Sequence, residues 1–368
     1  FMSINKRILI SGYYGFDNSG DDAILKAIVK DLNENNNSIE ITALSNRPDF
    51  TEKIYNINAV NRFKIKDVIK AIKSCDLFIS GGGSLLQDVT STRSLLYYIT
   101  LMKLAKIFKK TVMVYANGIG PINKKLNRVL TRSILNKVDL ITLRDVDSKQ
   151  FLKELGVVNN NIYVTADPVF TLEPTEDSRI IEILQKEGVP LDKSLVGVSV
   201  RNWVRGDKLI EIVAKSIDYV IEKYGVNVIL IPMHYPEDLS ISNNILKKVT
   251  KKGCYIISNK YSVEDIMGII KRLEIIMAMR LHSLIYAATQ DIPMVGIVYD
   301  PKVEGFLKSI NMEYMCSVED IEYSQLIKNI DLVWENKMDL RNNLKELDRR
   351  MREEALRNIQ LALDLLEE

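Results

Sequence analysis

Short, almost continuous apolar runs recur along this chain. Each closes on a glycine or polar turn, and a longer stretch with helical spacing follows. "KRILISGYYG", "IEITALS", "DLFISGGG", "TVMVYANGIGP", "DLITLRD" and "NIYVTADPVF" form one series. A strand that is apolar on both faces must be covered on both, which is the condition of a parallel sheet between helix layers. "GDDAILKAIVKDLN" supplies one covering helix. A second series begins at "LVGVSVRN" and continues through "VNVILIPMHYPED", "CYIIS", "LEIIMAM" and "PMVGIVYD", with helices such as "LIEIVAKSIDYVIEKYG" between. The expected fold is α/β, two Rossmann-like domains facing across a central cleft, with ligands held between strand ends of both halves.

A chain of 368 residues is long enough for two domains of ~100–200 residues. We expect the N-terminal domain over residues 1–175 and the C-terminal domain over 190–335. "TLEPTEDSRIIEILQKEGVPLDKS", with prolines, charges and no strand signal, reads as the passage between them. Residues 336–368 read as a charged helical tail whose apolar stripe could pack back on the first domain. With 46% hydrophobic and 27% charged residues the chain can bury sizeable cores. A net charge of +2 gives no nucleic-acid footprint. Cys75, Cys254 and Cys316 are scattered and lack CxxC spacing, which argues against a disulfide framework or zinc site and for a reducing cytosol.

The opening "MSINKRILISGYYG" passes from a polar start into a strand and turn, unlike a secretory leader. No uncharged apolar run reaches ~18 residues, so no membrane-crossing helix is expected. "LLYYITLMKLAKIFKK" has two readings, a helix covering the sheet with its lysines in water or a helix in peripheral contact with a membrane. The first is the commoner case.

The turns carry the candidate chemistry. "GYYGFDNSGDDAIL" is too open for a dinucleotide GxGxxG turn. It reads either as a loop whose Ser19 or Asp21 caps the next helix, or as a loop bringing Asn18, Gly20 and Asp21 to an acceptor. "ISGGGSLLQD" ends a strand on three glycines. They let a backbone approach a ligand and expose N–H groups, so Gly82 and Gly83 are site candidates, with Gln87 and Asp88 close by. No GK[ST] follows, which removes ATP hydrolysis. Asn117 in "ANGIGP" and Asp167 in "TADPVF" bring polar groups to the same edge, and Asp145 and Ser148 read as helix caps.

In the second series "IIMAMRLHSLIYAATQDIP" sets Arg280 and His282 at a strand-to-helix junction, where open α/β sheets bind ligands. Burying such a pair without partners costs several kcal/mol or more. Arg201 stands just past another strand, and His234 past a third, where it reads first as a surface-loop residue. Two guanidiniums and an imidazole suit a ligand with a phosphate and a carboxylate, because arginine grips both through its bidentate fork.

"GYYGFDNSGDDAIL", "GGGSLLQD", "ANGIGP", "RDVDS", "ADPVF", "VSVR" and "RLHSLIYA", in this order, resemble the polysaccharide pyruvyl transferase family over nearly the whole chain. The nearest likeness is to CsaB-type enzymes of bacterial cell-wall glycopolymers. The resemblance implies a glycosyltransferase-B-like fold and transfer of a pyruvyl group from phosphoenolpyruvate to sugar hydroxyls, forming a cyclic ketal and releasing phosphate. It implies an acceptor that is a lipid-linked saccharide containing N-acetylmannosamine, phosphoenolpyruvate as co-substrate, and no cofactor or metal. By resemblance Arg201, Arg280 and the Leu281 backbone hold the donor and His282 donates the proton. Asp88 activates the acceptor hydroxyl, with Asp21, Asp22 and Asp167 as competitors. A histidine, with a reference pKa of about 6.5, suits protonation of the methylene carbon. The alternative reading is a nucleotide-sugar glycosyltransferase of the same architecture, and a non-catalytic binding protein for anionic glycans is a further rival. Oligomeric state is open, a homo-oligomer included.

Overall fold

The computed structural model describes residues 6–36, 38–204 and 206–367. The chain divides into two compact units. One comprises Phe1–Thr171 with Met351–Glu368, and the other Leu172–Arg350. The first five residues of the expected N-terminal domain lie outside the described residues. The first boundary falls at Thr171, four residues before the one expected at 175.

The first unit is built on seven parallel strands: β1 Arg7–Ser11, β2 Glu40–Ser45, β3 Asn58–Asn61, β4 Leu77–Gly83, β5 Thr111–Asn117, β6 Leu140–Leu143 and β7 Ile162–Val164. Their order is β3-β2-β1-β4-β5-β6-β7. The central strands are apolar on both faces because both are covered. Leu9, Phe78, Val112 and Val114 pack with Leu95, Tyr98, Ile99 and Met102 of helix Thr92–Ile107. That helix is thus the covering element, with Leu95, Tyr98, Ile99 and Met102 buried against the sheet.

The second unit has six parallel strands: β8 Leu195–Ser199, β9 Asn227–Leu230, β10 Cys254–Ile256, β11 Leu273–Ala278, β12 Met294–Val298 and β13 Met315–Ser317. Their order is β10-β9-β8-β11-β12-β13. Two expectations need correction here. The segment read as an interdomain passage belongs to this unit. It forms helix Asp177–Lys186, and Thr175 ties it in through its hydroxyl to Asp265 at 2.8 Å and its N–H to the Glu264 carbonyl at 3.0 Å. Ile180 also fills the space beside Gly268. The part of the tail grouped with the first unit starts at Met351 and not at 336. Helix Lys337–Glu367 is continuous, its first half grouped with the second unit and the rest with the first. There Asn358 is buried, accepting from the Thr165 hydroxyl at 2.7 Å and donating to the Ala166 carbonyl at 3.1 Å.

In each sheet the chain starts near the middle, winds outward one way, then returns and winds out the other way. The switch points lie between β1 and β4 and between β8 and β11. Open α/β sheets bind ligands at the carboxyl ends of the strands flanking such a switch.

Candidate active site

In the second unit, β8 and β11 are paired with Ser199 opposite Ala278. Arg201 and Arg280 stand two residues beyond those partners, so both follow carboxyl ends at the switch point. Helix Leu281–Thr289 begins at once, with Arg280 at its N-cap position. Leu281, His282 and Ser283 therefore occupy its first turn, whose N–H groups have no intrahelical acceptor and face the positive end of the helix dipole. His282, expected at the junction, lies inside this helix.

Arg280 is not left to a ligand alone. Its Nε donates to Asp238 Oδ2 at 3.0 Å and its Nη2 to Oδ1 at 2.6 Å. Asp238 is fully buried in the first turn of helix Glu237–Lys248, and its Oδ2 also accepts the N–H groups of Met233 and His234 at 3.1 and 3.0 Å. The carboxylate thus takes the Nε–Nη2 edge of Arg280 and fixes its plane. Both N–H groups of Nη1 and the second N–H of Nη2 remain for a ligand.

The guanidinium of Arg201 lies 4.5 Å from the Tyr299 ring centre, and Trp203 packs against that tyrosine at 6.1 Å. Tyr299 directly follows β12, the strand next to β11. Among the described residues, Arg201 Nε and the Ser199 hydroxyl are buried with no hydrogen-bond partner. A buried donor left unpaired costs about 1–3 kcal/mol, so the crevice has polar capacity the protein does not use. His282 Nε2 is shielded from solvent in the same turn, and its ring lies 6.3 Å from Tyr286. His234 takes another place. Its Nε2 is 3.7 Å from Glu237 Oε2, and its contribution to the crevice is the backbone N–H that braces Asp238.

In the first unit the glycines at the switch point make room for the chain itself. The Tyr14 ring occupies the space that a Cβ would take at both Gly12 and Gly81, and Ile24 Cγ2 would meet a Gly82 Cβ at 2.6 Å. Gly83 has φ +81, with Asp21 Oδ1 3.1 Å from its Cβ position. The missing side chains of Gly82 and Gly83 thus let the first helix and its loop close on β4. Burial, reinforced by the negative charge of Asp21, pushes the Tyr14 hydroxyl well above its ordinary pKa. Asn18, not Ser19 or Asp21, caps helix Ser19–Asn35, accepting the Gly20 N–H at 3.1 Å.

Asp88 also differs from expectation. Its Oδ1 accepts the Asn123 N–H at 2.8 Å, and its Oδ2 accepts the Lys124 N–H and the Asn127 amide, both at 2.9 Å. Burial works to raise its pKa, but the N–H groups of Lys124 and Asn123 and the Asn127 amide outweigh it, and the net shift is downward. A carboxylate so occupied is a weak base and a strong clamp. It pins the segment that leads into helix Lys125–Leu135. Asn117 is likewise a staple, its amide donating to the Ser80 and Tyr115 carbonyls at 3.0 Å.

Asp167 is buried and paired with Arg144, Nη1 to Oδ2 at 3.2 Å, while Arg144 Nη2 donates to the Ser84 hydroxyl at 3.0 Å. This bridge joins the ends of β4, β6 and β7. Asp145 caps the helix Val146–Leu155, as expected, accepting the Ser148 N–H at 2.6 Å. Among the described residues no group of three or more His, Cys, Asp or Glu side chains could hold a metal ion, and no helix is long and apolar enough to cross a membrane.

A sequence profile described as polysaccharide pyruvyl transferase matches residues 18–301, from the Asn18 cap through Arg280 and His282 to the turn after Tyr299. The chain belongs to the polysaccharide pyruvyl transferase family. Transfer of pyruvyl groups to polysaccharide is the chemistry of that family. The amylovoran biosynthesis protein AmsJ of Erwinia amylovora is 19% identical, the match covering 98% of this chain and 99% of AmsJ. HepE of Anabaena, solved with UDP-glucose, superposes with a TM-score of 0.67 at 12% identity, covering 98% of this chain and 99% of HepE. Staphylococcus aureus MnaA, solved with UDP, gives 0.67 at 14% identity over 99% and 98% of the two chains. These likenesses carry the fold, two Rossmann-like domains of glycosyltransferase-B type.

Sequence reasoning passed over Asp238, Ser199, Tyr299 and Arg144. Asp238 looked like any acid in a helix first turn, and its role depends on β9 and β11 ending at one edge. Tyr299 carried a signal, an aromatic residue directly after a buried strand.

Proposed function

We propose that this pyruvyl transferase takes its pyruvyl group from phosphoenolpyruvate and sets it on two hydroxyls of one sugar in a lipid-linked saccharide, N-acetylmannosamine being the sugar that the CsaB likeness favours. The donor lies at the β8–β11 switch point. The observation that carries the reading is the pair of arginines two residues past matched strand positions, with His282 in the first turn of the adjoining helix.

Arg201 presents a guanidinium backed by Tyr299, and Arg280 presents Nη1 from a plane fixed by Asp238. The first-turn N–H groups, Leu281 among them, receive the remaining anionic oxygens. His282 delivers a proton to the methylene carbon as a sugar hydroxyl attacks the neighbouring carbon. The C–O bond to phosphate then breaks and the second hydroxyl closes the ketal. Of the two hydroxyl protons, one ends on the new methyl group by way of the histidine and the other leaves with phosphate. Arginines so placed neutralise charge that develops on the leaving phosphate.

Asp88 does not fit as the acceptor base, since both its oxygens are committed to holding the Asn123–Asn127 segment. Differential stabilisation by ligand tests the reading. Phosphoenolpyruvate at a hundredfold its dissociation constant should add ~2.7 kcal/mol, while a UDP-sugar adds little. The reverse pattern would move the assignment to a nucleotide-sugar donor.

A further inference from the structure

β3 ends at Asn61, and the chain then turns outward through Phe63 and Ile65 into helix Ile65–Ser74. That helix gives Val68 and Ile72 to the core. Phe63 and Ile65 are not part of it; they are 62% and 72% exposed. Lys64, Lys66, Lys70 and Lys73 are all exposed around them, with Asp67 the one acid in the same stretch.

The tip is firmly held. Arg62, 6% exposed, sets its guanidinium 5.5 Å from the Phe63 ring and 4.5 Å from the Tyr97 ring. Its Nη1 donates to the Gly12 carbonyl at 2.9 Å, and Phe16 lies 5.1 Å from the guanidinium. A second half-exposed aromatic, Phe50, stacks under Arg47 at 4.6 Å, and Arg47 Nε donates to the Gly15 carbonyl at 3.2 Å. Both aromatic tips are therefore anchored to the Gly12–Asn18 loop at the β1–β4 switch point.

We propose that this face, Phe63 and Ile65 among Lys64, Lys66 and Lys70, docks the first unit on an anionic lipid surface. Docking there brings the switch-point loop to an acceptor carried on a lipid, an interpretation that rests on the acceptor reading above. Apolar tips alternating with lysines suit the headgroup boundary, where the rings bury and the ammonium groups meet anionic lipid. A protein partner fits less well, because lysine is depleted from protein–protein interfaces.

The test is co-sedimentation of the full chain with phosphatidylglycerol-containing vesicles and with pure phosphatidylcholine vesicles. Phe63→Ser/Ile65→Ser and Lys64→Gln/Lys66→Gln are run alongside. The wild type should sediment with the anionic vesicles and stay in solution with the neutral ones. Removing the two lysines should weaken binding about 30-fold, at ~1 kcal/mol per charge. Losing the two apolar tips should weaken it by about tenfold or more. All three proteins should turn over a soluble acceptor fragment equally. Wild type that stays in solution with anionic vesicles overturns the proposal, and so does binding that neither pair of substitutions weakens. So does a concentration-dependent dimer, removed by Phe63→Ser, in a chain that ignores vesicles. Vesicle binding needs no phosphoenolpyruvate, so failure of turnover on the soluble acceptor would count against the transferase reading alone.

Discussion

Replacing Asp238 by asparagine should loosen the second unit and disarm Arg280 together. The carboxylate accepts four hydrogen bonds, two from Arg280 and two from backbone N–H groups. If the asparagine oxygen takes the Oδ2 position, its amide points at Arg280 Nη2, now donor against donor at a 2.6 Å contact. One charge-assisted bond is lost, worth ~1.5–3 kcal/mol, and a largely buried guanidinium loses its countercharge. We expect a loss of about 3 kcal/mol, the lower end of the range for breaking a buried pair. For a unit of this size that lowers Tm by roughly 6–12 °C. The assay is thermal unfolding with and without phosphoenolpyruvate, and the variant should also lose most of the ligand-induced rise. A Tm within about 2 °C of wild type, smaller than the shift from 1 kcal/mol, with an intact phosphoenolpyruvate response, would refute the reasoning.

Burial lifts the Asp31 carboxyl to about 6, against weaker lowering by Thr171 and Lys30. The folded chain then holds a proton that the unfolded chain releases near pH 4, so stability contributed below that pH is lost as pH rises through about 6. Urea unfolding should show ~2–3 kcal/mol lost across this window, and Asp31→Asn should flatten the limb. Asp88→Asn should destabilise the first unit by about 1–3 kcal/mol at neutral pH, the deficit vanishing in acid because a lowered carboxylate loses its contribution as pH falls. Its kcat should fall only with the folded fraction, and a fall beyond about 10²-fold in a fully folded variant would make Asp88 a base after all. Gly82→Ala forces a methyl to 2.6 Å from Ile24 Cγ2 and should cost ~1–3 kcal/mol in chemical denaturation.

The alternation of apolar strands and helices was legible because burial on both faces erases polar residues from the central strands. β3 and β13 were not, because "NAVN" and "MCS" are short edge strands carrying polar residues and no continuous apolar run. Arg201, Arg280 and His282 stood out as charged or titratable residues at strand ends. Asp238, the partner of Arg280, did not, since a first-turn acid is ordinary until the sheet order brings β9 near β11. The triple glycine was read by its permissiveness, yet its Cβ positions are taken up by Tyr14 and Ile24, which lie far away along the chain, and spacing alone does not announce them. Asp88 followed those glycines in the sequence, but its three partners lie in the Asn123–Asn127 segment.

The most direct test of the donor site is phosphate release from phosphoenolpyruvate, with and without an N-acetylmannosamine-containing acceptor, for wild type, Arg280→Ala and His282→Ala. Wild type should release phosphate only when the acceptor is present. Both variants should lose that release, with His282→Ala keeping its thermal response to phosphoenolpyruvate and Arg280→Ala losing it. Acceptor-dependent release that survives in a folded His282→Ala protein would contradict the account.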